Sequence, residues 1–332
     1  MHIEEKVAFL KQPASYPDRP ERVEVVKTHM SWVFLTDRLV YKLKKPVRYD
    51  YLDFSTLEAR KTNCEREVHL NRRLAERVYL GVVPLTIEAD DGLKLGGEGR
   101  VVDWLVQMRR LPADRMLDVA IFEGTVDAED VQKLSRILAA FYRLSPALTI
   151  SPAEYRRQFE ADIQSNLTEL SDSRYALPEA RVDRLAAAQR QFLAEQGSLL
   201  EQRAKDGRII DAHGDLRPQH ICLLPEPVII DCLEFNRRFR MLDPGDELAY
   251  LALECERLGA PAIGEQVMDQ YKQATGDACP SELIAFYKVF RACLRAKIAV
   301  WHTVDHDFRD HRHWLRLARA YLDIAAQYAR RW

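Results

Sequence analysis

The run His213-Gly214-Asp215-Leu216-Arg217-Pro218-Gln219-His220 packs a carboxylate, a guanidinium and two imidazoles into eight residues, and Val228-Ile229-Ile230-Asp231 comes soon after it. Apolar residues flank both segments, so these polar groups are expected at the ends of buried strands rather than on an open surface. Asp215 and Asp231 stand sixteen residues apart with an expected hairpin between them, which lets the two carboxylates converge. A carboxylate can accept a hydrogen bond from an attacking hydroxyl, or hold a hard cation.

The elements that must position such a pair change character near residue 112. Before it lie β-branched and aromatic runs at Val23–Val26, Trp32–Leu35, Leu39–Tyr41, Val82–Ile87 and Val101–Val106, separated by turn residues, which predict about five short strands. Ser55-Thr56-Leu57-Glu58 reads as a capping box that opens one helix running to about Arg77. After residue 112 apolar residues recur at helical spacing over 154–170, 178–204, 246–258, 262–273, 281–302 and 312–330. Short strands are expected only at Arg208–Ile210 and Val228–Ile230. The charge-rich stretch 178–206 reads as a solvated amphipathic helix. The fold class is therefore α+β, with a small β-rich lobe over residues 1–110 and a larger, mainly helical lobe over 111–332.

The ordered set His213, Asp215, His220 and Asp231 resembles the catalytic core of the aminoglycoside phosphotransferase and protein-kinase-like superfamily. That pattern is H-x-D-x-x-x-x-N followed by a strand ending in a metal-binding Asp. His220 stands where the family has Asn. The resemblance implies a protein-kinase-like bilobal fold and transfer of the γ-phosphoryl group of ATP to a hydroxyl. Asp215 would orient the acceptor and Asp231 would hold Mg²⁺. His220 would be a nitrogen donor at a second metal position that suits Mg²⁺ less well than an amide oxygen. His213 would support the loop by hydrogen bonding.

The same resemblance directs attention to a Lys on the third strand and a Glu on the next helix. Leu39-Val40-Tyr41-Lys42 has the spacing of the kinase V-A-I-K motif, and Lys44 repeats on the same strand face. Glu67 borders the apolar stripe of the helix, whereas Glu65 clusters with Lys61, His69 and Arg72 on its solvated side, so Glu67 is the expected partner of Lys42. Neither a G-x-G-x-x-G nor a Walker sequence occurs. The turn Lys27–Ser31, with Ser31, would instead cover the phosphates through hydroxyl groups. Gln107, Met108 and Arg109 would meet adenine at the end of the fifth strand. Asp246, in Asp243-Pro244-Gly245-Asp246-Glu247-Leu248-Ala249, would cap a helix or brace the catalytic loop. Lys42–Pro46, Leu52–Leu57 and Asp231–Asn236 also resemble bacterial proteins that fuse such a domain to a P-loop ATPase domain, and this chain looks like the phosphotransferase module alone.

Composition narrows the partners. With 49 basic and 51 acidic residues in 332, the net charge of −2 carries no general attraction for nucleic acid or membrane surfaces. Six scattered Cys without a C-x-x-C pair fit reduced thiols, and no signal or membrane segment is expected, which points to the cytoplasm. The partner is expected to be a small-molecule hydroxyl acceptor. Arg217, Arg237, Arg238 and Arg240 near the carboxylates favour a neutral or anionic acceptor, such as a sugar or an acidic metabolite, over a polycation; alternatively they pair with Asp243, Glu247 or Glu254. Asp305, His306, Asp307, His311 and His313 read as a polar turn between helices rather than a metal site. A second functional class, a nucleotide-binding pseudokinase or regulatory module, would use the same residues without turnover.

Overall fold

The computed structural model describes residues 1–49, 52–304 and 310–331. In chain order the elements are α1 (Ile3–Leu10), β1 (Glu24–Lys27), β2 (Ser31–Leu35), β3 (Leu39–Lys44), the short ladder β4 (Arg48–Tyr49) and β5 (Leu52–Asp53), α2 (Leu57–Ala75), β6 (Tyr79–Ile87), β7 (Leu93–Leu95) and β8 (Arg100–Arg109). Helices α3 (Leu117–Glu123), α4 (Ala128–Leu144), α5 (Pro152–Leu170), α6 (Glu179–Gln196) and α7 (Ser198–Lys205) follow. Four two-residue strands come next: β9 (Ile210–Asp211), β10 (Ile221–Cys222), β11 (Val228–Ile229) and β12 (Met241–Leu242). The chain continues through α8 (Pro244–Arg257), α9 (Pro261–Thr275), α10 (Ser281–Val304) and α11 (His311–Tyr328). This is a mixed α+β fold of the protein-kinase-like kind. It divides into two compact units, Met1–Met116 with His220–Phe239, and Leu117–Gln219 with Arg240–Trp332.

The first unit is built on a six-stranded antiparallel sheet in the order β1-β2-β3-β8-β6-β7. Side chains alternate across a strand, and β3 uses that period directly. Tyr41 and Leu43 join Val7 and Leu10 of α1 in one apolar layer, with Phe34, Leu85 and Leu105. Lys42 and Lys44 point to the other face, where α2 lies. There Cys64 and Val68 pack on Val78 and Val106. Helix α1, which carries no strong sequence signal, is pinned by buried Lys6, whose Nζ donates to the Val102 carbonyl (3.0 Å) and to Asp103 (2.7 Å). Arg60 of α2 reaches the same Asp103 carboxylate at 2.8 Å, so one buried acid ties a helix on each face to the sheet.

Helix α2 begins one residue later than the capping-box pattern predicts. Thr56 is the N-cap and accepts from the Ala59 N–H, while Ser55 turns back to Asp53. Two side chains compete for one cap, and the Asx turn at Asp53 takes Ser55.

The second unit is helical around α10, and α8 is buried from Pro244 to Cys255. One cluster centres on stacked Phe192 and Phe286 with Phe159, Tyr287 and Phe290. Another joins α10 to α11 through Ala292, Ala296, Val300, Ala318 and Leu322. The 178–206 stretch is two helices divided at Gly197. The hairpin expected between Asp215 and Asp231 is β10 paired antiparallel with β11, while β9 pairs with β12. The β9–β12 ladder sets the Asp215 segment beside the start of α8, because the chain leaves β9 into the Asp215 loop and leaves β12 into that helix.

Candidate active site

Five charged side chains of the first unit form an alternating chain. Lys42 Nζ lies 2.8 Å from Asp231 Oδ1 and 3.0 Å from Glu67 Oε1. The second oxygen of Glu67 meets Lys44 Nζ at 2.5 Å, and Lys44 continues to Glu234 at 2.6 Å. Lys44 and Glu67 are fully buried. Buried charges must be paired to be tolerated, and here three carboxylates surround two ammonium groups, leaving a formal surplus of one negative charge at the Asp231 end. Asp231 is also the exposed end, with 45% of its side chain accessible.

The titration behaviour follows from this order. Burial opposes ionisation of Glu67, but Lys42 and Lys44 together overcome it and hold its carboxyl below the usual range. For Glu234 burial prevails over Lys44, with repulsion from Glu67 added, and its carboxyl is raised. Burial would lower Lys42, but Asp231 and Glu67 hold it well above an ordinary lysine, so it stays charged.

Helix α2 also fixes the Asp231 segment through its backbone. Asn71 donates to the Glu67 carbonyl and accepts from the Cys232 N–H, both at 2.9 Å. The Asp231 N–H donates to the Tyr79 hydroxyl at 3.1 Å. Asp231 itself adopts a left-handed backbone, φ 62°. Asp tolerates this conformation better than most residues, and cross-links on both sides maintain it.

His220 Nε2 lies 3.5 Å from Asp231 Oδ2, so the two sequence-predicted metal residues are neighbours. Among the described residues no group of three or more His, Cys, Asp and Glu side chains could enclose a metal ion. The donor chemistry fits Mg²⁺ at Asp231, since that ion takes one or two carboxylates and completes its shell with phosphate and water oxygens. The His220 nitrogen fits it less well.

The remaining expected nucleotide contacts occupy two strand ends. Ser31 is buried at the start of β2 opposite Lys44, and the Thr28 hydroxyl closes the preceding turn by accepting from the Ser31 N–H and donating to its carbonyl. Gln107 lies opposite Tyr41 and donates to its hydroxyl at 3.0 Å. Met108 joins the apolar layer under α2. The Arg109 N–H is already bonded to the Val78 carbonyl at 2.8 Å.

Asp215 belongs to the second unit. Tyr250 of α8 donates to its Oδ1 at 2.9 Å, and Arg217 Nε lies 3.1 Å from the carboxylate. Gly214, with φ 90°, makes the turn that an L side chain would strain. His213 is buried and accepts the Asp215 N–H at its Nδ1, the supporting role expected of it. The loop is braced from below by Glu247, which accepts from the backbone N–H groups of His213 (3.0 Å) and Gly214 (2.6 Å). Asp246, the expected brace or cap, does neither. Asp243 is the N-cap, and Asp246 forms a buried bidentate pair with Arg291 at 2.7 and 2.6 Å. One helical residue further on, about 100°, turns Glu247 toward the loop and Asp246 toward α10.

The arginines divide. Arg240 is held by Asp211 at 2.7 Å, a partner outside the three acids expected, and Arg237 is exposed. His311 and His313 lie exposed on the first turn of α11, while Asp305, His306 and Asp307 fall outside the described residues. Lys44, the alternative lysine on the strand face, contributes alongside Lys42, while Glu234, Tyr250 and Glu247 are the contributors that a search for one Lys and one Glu passes over.

Residues 36–286 match the model of the Phosphotransferase enzyme family. An uncharacterized protein of Mycobacterium tuberculosis is 32% identical over 284 residues, a match covering 83% of this chain and 54% of the relative. The chain thus spans about half the length of the curated relatives it matches. Among solved structures, a choline/ethanolamine kinase family protein from Mesorhizobium loti superposes with a TM-score of 0.56 at 18% identity, over 100% of both chains. An aminoglycoside 2'-phosphotransferase-IIIa, in its GDP complex, gives 0.52 at 14% identity over 97% of this chain and 99% of the other.

Proposed function

We propose, from the premise that the chain belongs to the Phosphotransferase enzyme family, that it transfers the γ-phosphoryl group of ATP to the hydroxyl of a small molecule. The observation that carries this is Lys42 held between Glu67 and Asp231, with the Asp231 carboxylate exposed beyond it. A fixed, always-charged lysine beside an accessible carboxylate is the arrangement that phosphate and a phosphate-borne cation require. Mg²⁺ bound at Asp231 would neutralise phosphate charge. Lys42 would bind the α- and β-phosphate oxygens, kept in place by Glu67. The strand end at Gln107–Arg109 would receive the base, with recognition there falling to carbonyls and side chains because the Arg109 N–H is committed.

Asp215 would accept a hydrogen bond from the acceptor hydroxyl and orient its oxygen. That oxygen bonds to the γ-phosphorus as the bond to the β,γ-bridging oxygen breaks. ADP departs, and the hydroxyl proton passes by way of Asp215 to solvent. Tyr250 and Arg217 hold Asp215 in one orientation for this step.

The test is a melting series with ATP, GTP and their diphosphates, with and without Mg²⁺. Ligand at a hundred times Kd stabilises by about 2.7 kcal/mol, a shift of a few degrees for a chain this size. Wild type should show the shift with Mg²⁺ and Asp231→Ala should not; no Mg²⁺-dependent shift with any nucleotide would end the proposal. The imidazole of His220 beside Asp231 favours one second reading, a nucleotide-binding module without turnover. Binding without slow ATP hydrolysis, in wild type and Asp215→Ala alike, would select it.

A further inference from the structure

Around Asp215 the second unit sets three guanidinium groups, Arg217, Arg257 and Arg295, against the carboxylates of Asp215 and Glu254, while Glu247 below the loop is engaged by backbone N–H groups. Tyr250, Glu254 and Arg257 recur at i, i+4 and i+7 on α8, a spacing that puts them on one face. Arg257 Nε lies 2.9 Å from Glu254, and Tyr321 of α11 donates to the same carboxylate at 2.6 Å. Glu254 is therefore satisfied by one guanidinium and one phenol. Asp215 is matched in the same way by Arg217 and Tyr250.

Arg295 of α10 is held more loosely, as an ion pair with Glu254 and with its guanidinium 5.8 Å from the centre of the Tyr321 ring. Its Nε stands 3.4 Å from Glu254 and 3.5 Å from the Tyr321 hydroxyl, both beyond a normal N–H···O bond. Among the described residues its two terminal nitrogens have no hydrogen-bond partner, although only 14% of the side chain is accessible. Its charge is within electrostatic reach of both Asp215 and Arg217. An arginine cannot relieve the cost of burial by losing its proton. A guanidinium fork on a mostly buried side chain, always charged and open at its donor end, suits a carboxylate or a phosphate. One turn earlier on the same helix, Arg291 shows the filled version, closed on Asp246 by two short bonds.

We propose that Arg295, aided by the positive field of Arg217, is the anion-binding end of the acceptor site, and that the acceptor is a hydroxyl compound carrying a carboxylate or phosphate group. This rests on the reading of Asp215 as the group that orients the acceptor hydroxyl, and it names the class of molecule to which that hydroxyl belongs. It disfavours polycationic acceptors, which would bring ammonium groups against an open guanidinium fork.

The experiment uses the full chain and matched probes: glycerate and glycerol 3-phosphate against glycerol, gluconate and glucose 6-phosphate against glucose, and kanamycin as the polycation. Direct binding is measured by calorimetry without nucleotide, and ADP release is measured with Mg²⁺ and ATP. At least one acidic probe should bind wild type tenfold or more tightly than its neutral counterpart. Arg295→Met should weaken that binding tenfold or more, with Arg295→Lys between them. The carboxylate and phosphate members of each set report which acid is preferred. Binding of glycerol, glucose or kanamycin equal to the acids, no binding of any acid, or acid binding by Arg295→Met equal to wild type would each overturn the proposal. If Arg295→Met does not fold, the comparison of acids with neutral probes on wild type decides alone. Acid binding without Mg²⁺-dependent nucleotide binding would instead sink the phosphotransferase assignment and leave the anion site standing.

Discussion

Lys44 meets Glu67 at 2.5 Å and is the more deeply buried of the two lysines that share its carboxylate. The pair separates two duties that a single Lys–Glu contact would combine. Lys42, with 15% of its side chain accessible and Asp231 at its open side, is placed to act on a ligand. Lys44 is placed to hold Glu67 and Glu234 in position. Lys42→Met should therefore lower kcat/KM for phosphotransfer by a hundredfold or more with a modest stability loss. Lys44→Met leaves buried Glu234 without its lysine and Glu67 with Lys42 alone, and should cost about 3–5 kcal/mol in a denaturant titration.

The two carboxylates around Lys44 should respond oppositely to neutralisation. Glu67→Gln leaves both lysines short of a counter-charge and should be strongly destabilising at pH 7. Glu234→Gln keeps an oxygen for Lys44 and removes a carboxylate whose ionisation burial opposes, so its cost should stay within about 1 kcal/mol. Acid separates them further. The Glu67 carboxyl titrates lower in the folded chain than in the unfolded one, where it is near 4.3. Its stabilisation is thus present above that pH and is lost as pH falls through the folded value. The gap between wild type and Glu67→Gln should narrow below about pH 4. For Glu234, raised by burial, the sign reverses, and its contribution declines as pH rises. Denaturation midpoints across pH 3–8 check both.

Much of this was visible in the chain before folding. The alternation at Tyr41-Lys42-Leu43-Lys44 is a strand period, and it put both lysines on one face. The position of Glu67 against the apolar stripe of α2 was equally readable. What could not be read were contacts made by helices with no preferred direction of their own. Helix α1 owes its seat to Lys6 reaching Asp103, a contact ninety-seven residues away in sequence. The exchange of roles between Asp246 and Glu247 turns on one residue of helical phase, which periodicity does not resolve in a helix buried on all sides.

Glu247 offers a test of the role proposed for the Asp215 loop that leaves Asp215 in place. Glu247→Ala removes the acceptor for the His213 and Gly214 N–H groups, and unsatisfied buried donors cost about 1–3 kcal/mol each. Acceptor turnover should fall at least tenfold, while Mg²⁺-dependent stabilisation by ATP persists. Loss of the nucleotide effect as well would mean that Glu247 supports more than the loop.

Tyr250→Phe removes one of the restraints on Asp215 at the expense of a single oxygen. Hydrogen bonds to charged groups contribute about 1.5–3 kcal/mol, so kcat should drop roughly tenfold or more with little change in the melting point. An unchanged kcat would show that Arg217 alone suffices to orient the carboxylate.

The thiols should report unfolding. Burial pushes the Cys222 thiol up to about 11 and those of Cys64, Cys255 and Cys293 up to about 12. Only thiolates react readily with alkylating agents, so these four should resist iodoacetamide at pH 8 in the native protein and become labelled across the denaturation transition. Rapid native labelling at any of them would contradict their burial.

The return of residues 220–239 to the first unit has a consequence for biosynthesis. Lys42 and Lys44 emerge from the ribosome 189 and 190 residues before Asp231 and Glu234. At about 5–20 residues per second, the nascent sheet waits on the order of 10–40 s with two lysines clustered on one glutamate. The unit that begins the chain is thus closed only after Leu117–Gln219 of the second unit has been made, and its interior stays half-neutralised for that interval.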